Sequence, residues 1–260
     1  MRALAQIPEK LKGQRRIFSV EDWTVWEYDS VTSTNLVAAG LPAWSAVRAD
    51  TQTAGRGRFQ RQWVSDRGGL WLSAVVPNPS PNGRMLPLLA GVAVCDVLHG
   101  LGVGQVRLRW PNDVMVLDRK LAGVLIDQFR PGLAVMGIGL NVNNEPASYD
   151  PTLLNQVERL ANILPAPMRI ENLITPLLRR IRSLAQRWHA GESTPLLARV
   201  NDLWSKGRRV ELDLDGDIRS GRFAGVDDAG RLLLQDDLGA STAYSPEQVR
   251  HLTEMPDSHE

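Results

Sequence analysis

Between residues 86 and 101 only Asp96 and His99 interrupt an apolar run, and Gly102 and Gly104 end it. A helix that is apolar on every side does not sit on a surface, and this run is shorter than a bilayer crossing, so it predicts a buried core helix. The segments around it read as strands. Residues 24–28, 46–49 and 70–76 precede the helix, the last stopped by Pro77-Asn78-Pro79-Ser80-Pro81. Residues 106–110, 114–117, 121–129 and 134–142 follow it, with Asp118-Arg119-Lys120 expected to turn a hairpin. Ser33-Thr34-Asn35 offers N-cap chemistry to a short helix ending at Gly40. Leu173, Leu177, Ile181, Leu184 and Trp188 recur at helical spacing, with Pro176 tolerable only near a first turn. Residues 195–204 read as a further short helix.

After Gly207 the pattern changes. Val210, Leu212 and Leu214 alternate into Asp215-Gly216, a tight-turn signal. Two more short strands follow, at 221–226 and 231–235, with Asp228-Ala229-Gly230 turning between them. The expected fold class is α/β (α+β): a central mixed β-sheet flanked by helices, with a small β-barrel appended. The expected boundaries are an N-terminal extension over 1–22, a main domain over 23–205 and the barrel over 206–260. For the extension, an extra helix and a disordered arm both fit.

Charges nearly cancel, 30 Lys and Arg against 29 Asp and Glu, for a formal net charge of +1. Such a balance does not suggest bulk binding to nucleic acid or to a membrane surface. One cysteine, Cys95, excludes an intrachain disulfide and fits a reducing compartment. Its place in the apolar run suits a small buried hydrophobe better than a nucleophile. With no signal-peptide pattern and no membrane-length run, the expected location is cytoplasmic.

Basic character is local. Gly55-Arg56-Gly57-Arg58-Phe59-Gln60-Arg61-Gln62-Trp63 puts glycines, arginines and a tryptophan into one loop. Glycine lets backbone approach a ligand, and arginine offers a planar fork of donors suited to phosphate and carboxylate. On extended backbone Arg56 and Arg58 would project to one side, able to close over a phosphate-rich anion. Alone, the loop is equally a solvated basic turn. Arg109-Trp110-Pro111-Asn112-Asp113 presents Asn112 and Asp113 at a strand edge, and alone it is a turn. Lys120 in a hairpin is ordinarily a solvated charge, and Gly123 inside a strand marks a close approach or a bulge. Gly137-Ile138-Gly139-Leu140-Asn141 begins like a dinucleotide fingerprint but lacks its third glycine, and no Walker loop is present. His99, His189, His251 and His259 do not cluster at metal-ligand spacing, so no protein-held metal site is expected.

Taken together and in order, Ser33-Thr34-Asn35, the Gly55–Trp63 loop, Trp110-Pro111-Asn112-Asp113, Lys120-Leu121-Ala122-Gly123 and Gly137-Ile138-Gly139-Leu140-Asn141 resemble the motifs of biotin–protein ligases. The resemblance spans roughly residues 24–255. It is to the monofunctional bacterial type, biotin–[acetyl-CoA-carboxylase] ligase, which lacks the N-terminal DNA-binding domain of bifunctional relatives. It implies an SH3-like C-terminal domain and a two-step reaction. Biotin and ATP, with Mg²⁺, would give biotinyl-5′-AMP, and the acyl group would pass to a lysine of a biotin carboxyl carrier protein. It further implies that Arg56, Arg58, Lys120 and Asp113 are catalytic. Ser33, Thr34, Gln52, Gly55, Arg56, Lys120 and Gly123 would surround biotin. Arg58, Arg61, Trp63, Asn112 and Asn141 would surround ATP or the adenylate, with Asp113 near the acceptor amine. Arg109 stands where the family often has lysine, and Thr53 where a second glutamine is common; neither is assigned a role. DNA binding is not carried over, and both a monomer and a homodimer remain open. A lipoate–protein ligase or octanoyltransferase of the same fold is the alternative, although its substrates would have little use for the polar Ser33, Thr34 and Gln52.

Overall fold

The computed structural model describes residues 13–78, 83–204 and 207–255. Residues 1–12 of the expected extension, the 79–81 part of the proline stop, the boundary at 205–206 and the end from 256 lie outside the described residues. The chain runs β1 (Arg16–Val20), β2 (Trp23–Val31), α1 (Thr34–Ala38), β3 (Ser45–Gln52), β4 (Leu70–Pro77) and α2 (Met85–Gly100). It continues through β5 (Val106–Arg109), β6 (Asp113–Val116), β7 (Arg119–Arg130), β8 (Leu133–Leu140), α3 (Pro146–Tyr149), α4 (Glu171–His189) and α5 (Ser193–Asp202). The C-terminal strands are β9 (Arg209–Leu214), β10 (Asp217–Val226), β11 (Leu232–Gln235), β12 (Ser241–Tyr244) and β13 (His251–Glu254).

The central sheet has eight strands in the order β1-β2-β3-β4-β8-β7-β6-β5. Only β2 and β3 pair in parallel, and α1 is their crossover. Alternation along the strands divides two cores. Leu72, Ala74 and Val76 of β4 face the large core with α2, α4 and α5, while Val75 faces a smaller one with Tyr28, Val47, Val135 and Ala38 of α1. Leu88, Leu89, Val92 and Leu98 of α2 are all buried, each contributing about 1.5–3 kcal/mol. The expected core helix is therefore present, and Cys95 is packing within it: burial pushes its thiol up to about 12.

Three expectations are corrected. The segment read as a helix or a loose arm supplies edge strand β1, paired antiparallel to β2. The turn between β6 and β7 is Leu117-Asp118, both at positive φ (51° and 58°), as a two-residue hairpin turn requires. Lys120 consequently lies in strand β7 and not in the turn. Pro176 falls in the second turn of α4, where its missing N–H costs one helix bond without ending the helix.

The C-terminal strands form a five-stranded antiparallel sheet in the order β12-β11-β10-β9-β13. The alternation at Val210, Leu212 and Leu214 is present in β9, whereas β12 and β13 carry too short a pattern to be foreseen. This sheet packs onto the main domain. Trp204 stacks on Phe223 at 3.7 Å between ring centroids, and Trp110 Nε1 donates to the Gly230 carbonyl at 3.0 Å. Arg107 holds Glu254 through two hydrogen bonds of 2.7 and 2.6 Å, and Trp204 Nε1 donates to the same carboxylate.

Candidate active site

A cavity of about 760 Å³ opens between the central sheet, the 55–63 loop, the β5–β6 hairpin and the start of β13. That volume is in the range of small-molecule sites, roughly 300–1,000 Å³. One end is lined by neutral polar groups. Gln52, at the end of β3, accepts at Oε1 from the Thr34 backbone N–H (2.8 Å) and lies 3.0 Å from the Thr34 hydroxyl. A backbone N–H can only donate, which fixes the orientation of the amide. Gln52 Nε2 donates to Ser65 Oγ at 2.9 Å. One Gln52 N–H and one Thr34 lone pair are left over, a donor beside an acceptor. Ser33 is buried at the N-cap of α1 with no capping hydrogen bond, so the expected cap chemistry is absent.

Behind this pair stand residues that sequence reading missed. Ser73 Oγ lies 2.7 Å from Thr34 Oγ1 and 2.6 Å from Asn35 Oδ1. Asn35 Nδ2 donates to Asp127 at 2.8 Å, and Asp127 in turn lies 3.8 Å from Arg56 Nη2. A serine in the middle of an apolar strand was the available signal for Ser73. Its partners are 38 and 39 residues away in sequence, so the strand pattern alone does not disclose them.

The 55–63 loop folds on itself. Gly57 N–H donates to Arg61 O (2.8 Å) and Trp63 N–H to Gly55 O (3.0 Å), with Arg56 opposite Gln62. A Cβ on Gly55 would lie 2.4 Å from both Trp63 O and Ser65 Oγ, so glycine here lets the loop close on its own backbone. Arg56 and Arg58 do not project together. Arg58 begins a 3-10 turn with Phe59 at positive φ, which breaks the alternation. Arg56 therefore points inward to Asp127, its buried Nε without a hydrogen-bond partner among the described residues. Arg58 points to the C-terminal domain, bonding the carbonyls of Pro246 and Val249, and burial pushes its guanidinium below the ordinary value. Arg61 donates to Arg250 O at 3.2 Å, and the guanidinium groups of Arg58 and Arg250 each lie 4.7 Å from the Phe59 ring centroid.

The other end of the cavity is charged. Lys120 Nζ lies 2.6 Å from Asp113 Oδ1, and Arg109 Nη2 donates to Asp113 Oδ2 at 2.8 Å. Burial raises the Asp113 carboxyl, but the Lys120 and Arg109 charges and hydrogen bonds outweigh it and hold the group below the usual carboxylate range. Trp63 covers this cluster, its ring centroid 5.0 Å from Lys120 Nζ. What approaches Gly123 and Gly139 is that indole: a Cβ at Gly139 would lie 2.4 Å from Trp63 Nε1, and one at Gly123 3.0 Å from its ring. Asn112 and Asn141 line the cavity, yet Asn112 Nδ2 donates to Val124 O (2.7 Å) and Asn141 Nδ2 to Glu158 O (3.1 Å). Each anchors backbone next to the cavity.

Residues 26–143 match the model of the biotin/lipoate A/B protein ligase family, and residues 207–252 match the biotin protein ligase C-terminal domain. The biotin protein ligase of Aquifex aeolicus, solved in complex with biotin and ATP, superposes with a TM-score of 0.80 at 24% identity, covering 89% of this chain and 99% of that one. The bifunctional ligase/repressor BirA of Bacillus subtilis is 29% identical over 84% of this chain and 71% of its own length. The biotin–[acetyl-CoA-carboxylase] ligase of Mycobacterium tuberculosis is 34% identical over 87% of this chain and 89% of its own. With five motifs in order, a matching fold and identity at that level over nearly the whole of both chains, this protein belongs to the biotin–protein ligase family.

Proposed function

We propose that the enzyme activates biotin with ATP to biotinyl-5′-AMP in this cavity and passes the biotinyl group to a lysine of a biotin carboxyl carrier protein. The observation that carries the reading is the division of the cavity into a neutral donor–acceptor end and a charged end. A ureido group has one carbonyl and two N–H groups. It complements the Gln52 N–H and the Thr34 lone pair, with Ser33 beside them. A lipoyl or octanoyl chain has nothing to offer these groups and would leave them unpaired, at a cost of about 1–3 kcal/mol each.

In the first step a biotin carboxylate oxygen attacks the α-phosphorus, and the bond to pyrophosphate breaks. Two anions meet, so positive charge at the meeting point lowers the barrier. Arg56 and Lys120 line the cavity where such charge is needed, with Trp63 as a cover that excludes water. Arg58 and Arg61 close the 55–63 loop over the adenylate, and Asn112 and Asn141 hold the neighbouring backbone. The lining residues do not suit a protein-held magnesium ion. The lining carboxylates Asp113, Asp118 and Glu254 are each already ion-paired with arginine or lysine. Magnesium accordingly belongs to the incoming triphosphate. In the second step the neutral acceptor amine attacks the acyl carbon, the acyl–phosphate bond breaks, AMP leaves, and the amine's extra proton passes to water as the amide forms. Asp113, kept ionised, favours the positive charge that develops on the amine. The near balance of charge and the single buried cysteine support an enzyme that works in the cytoplasm without DNA.

The test is biotin-dependent formation of labelled adenylate from α-labelled ATP and Mg²⁺, with lipoate and octanoate in parallel. Activity with biotin alone is the expected result. Activity with lipoate or octanoate instead would overturn the assignment of the Thr34 end to a ureido ring.

A further inference from the structure

We infer that Arg109 is a positioning residue for adenylation: it holds the buried Asp113 carboxylate so that Lys120 is free to turn to the substrate anions. The inference rests on the function proposed above. Its basis is that two cations from different strands hold the two oxygens of one carboxylate. Arg109 ends β5 directly opposite Asp113, the first residue of β6, and its Nη2 makes a directed hydrogen bond to Oδ2 at 2.8 Å. Lys120 comes from β7 and its Nζ lies 2.6 Å from the other oxygen, Oδ1. The Asp113 side chain is only 14% exposed, against 22% for Arg109 and 26% for Lys120.

The energetics follow from burial. Were Lys120 the only partner of Asp113, the two would form a closed neutral pair. Any movement of the ammonium toward a phosphate or a biotin carboxylate would then strand a buried charge, which is strongly unfavourable. With Arg109 present, Asp113 stays paired when Lys120 leaves, and the cluster carries one more cation than anion where two anions must meet. The guanidinium suits this task better than an ammonium. It is always charged, and its planar fork keeps the carboxylate bond in a fixed direction. The same hairpin connects the two residues through Trp110, whose indole is itself tied to Gly230, so the pair is held from behind.

The experiment compares wild type with Arg109→Lys, Arg109→Gln, Asp113→Asn and the double variant Arg109→Gln/Asp113→Asn. It reads kcat and KM for adenylate formation together with melting temperature. Arg109→Gln should lower kcat by about tenfold, the effect of one hydrogen bond to a charged group, with less change in the KM for biotin. Arg109→Lys should recover most of the loss. Adding Asp113→Asn to Arg109→Gln should relieve part of the defect, because nothing then restrains Lys120; a merely structural Arg109 gives no such coupling. Wild-type kcat in Arg109→Gln, or a double variant worse than the sum of its parts at unchanged melting temperature, would overturn the inference while leaving the function standing. A wild-type chain that makes no adenylate from biotin would overturn both. Should Arg109→Gln melt well below wild type, Arg109→Lys with and without Asp113→Asn carries the same comparison.

Discussion

At the Thr34 end of the cavity the polar side chains are neutral and bonded to one another; at the Lys120 end they are charged and bonded to opposite charges. The first set stands on β3, β4 and the start of α1, in the packed interior. It needs no rearrangement to accept a ligand, because its spare donor and acceptor remain after the internal bonds are counted. The second set is assembled from a hairpin, from β7 and from a loop docked on the C-terminal domain. Its charges screen one another, so an arriving anion must exchange partners with them. On the function proposed above, recognition is therefore built in advance, while the charged end is paired with itself before its substrate arrives.

Lys120→Ala should expose that difference most. Removing a cation that stabilises developing charge should cost about 10²–10³ in rate, the scale of one oxyanion-hole donor. The loss should fall on adenylate formation, with transfer from preformed biotinyl-5′-AMP affected much less. Equal losses in both half-reactions would assign Lys120 to structure. Thr34→Val acts at the other end. It keeps the shape and the backbone N–H that holds Gln52 but removes the hydroxyl between Ser73 and Gln52. Biotin affinity should fall about tenfold to a hundredfold, the cost of unpaired buried groups, while the KM for ATP stays put. Calorimetry with biotin alone checks it, and a parallel rise in the KM for ATP would mean that the two ends are not separate.

The same contrast explains what could be read in the sequence. The α2 run, the strands beside it and the change of pattern after Gly207 are local signals, and each is present as an element. Thr34 and Gln52, which we propose meet biotin, are legible because they lie in or beside motifs ordered along the chain. The charged end was read less well, since its contacts join distant segments. Arg58 meets carbonyls 188 and 191 positions away, and no residue type marks a carbonyl as an acceptor in advance. Arg109 keeps the charge but not the shape of the family's lysine, which assigns it no role; only the β5–β6 register shows it facing Asp113. Strand β1 was missed because a five-residue edge strand with one face exposed carries almost no alternation.

Arg58→Ala addresses the loop itself. Its guanidinium is the tie between the 55–63 turn and the carbonyls of Pro246 and Val249. Without it the loop should close less often, and biotinyl-5′-AMP should escape or hydrolyse about three- to tenfold faster, the net worth of about one ordinary hydrogen bond. Adenylate trapped on the enzyme and adenylate released to solvent can be measured separately in one reaction. Normal retention with normal yield would remove the loop from the closing role.

The smallest effect is expected behind that loop, at Glu254. Burial raises its carboxyl, but the hydrogen bonds and charge of Arg107, with Trp204 and Arg208, outweigh burial and hold it below the ordinary value. A group depressed in the folded state stabilises fully above its unfolded value, about pH 4.3, and loses that contribution as the pH falls through the lower folded value. Wild-type melting temperature should therefore drop in acid below about pH 4.3, a loss that Asp113 shares because it too is depressed. Glu254→Gln should lower stability by about 1–3 kcal/mol at neutral pH and flatten part of the acid limb. Because Glu254 ties the C-terminal sheet to Arg107 and Trp204, the variant also asks whether that sheet must be held firmly for Arg58 to find its carbonyls. Adenylate retention within about twofold of wild type, alongside the lower melting temperature, is expected, since Trp204–Phe223 stacking and the Trp110–Gly230 bond remain. A retention defect as large as that of Arg58→Ala would instead make the Glu254 tie part of the charged end, and the screened cluster would then extend across both domains.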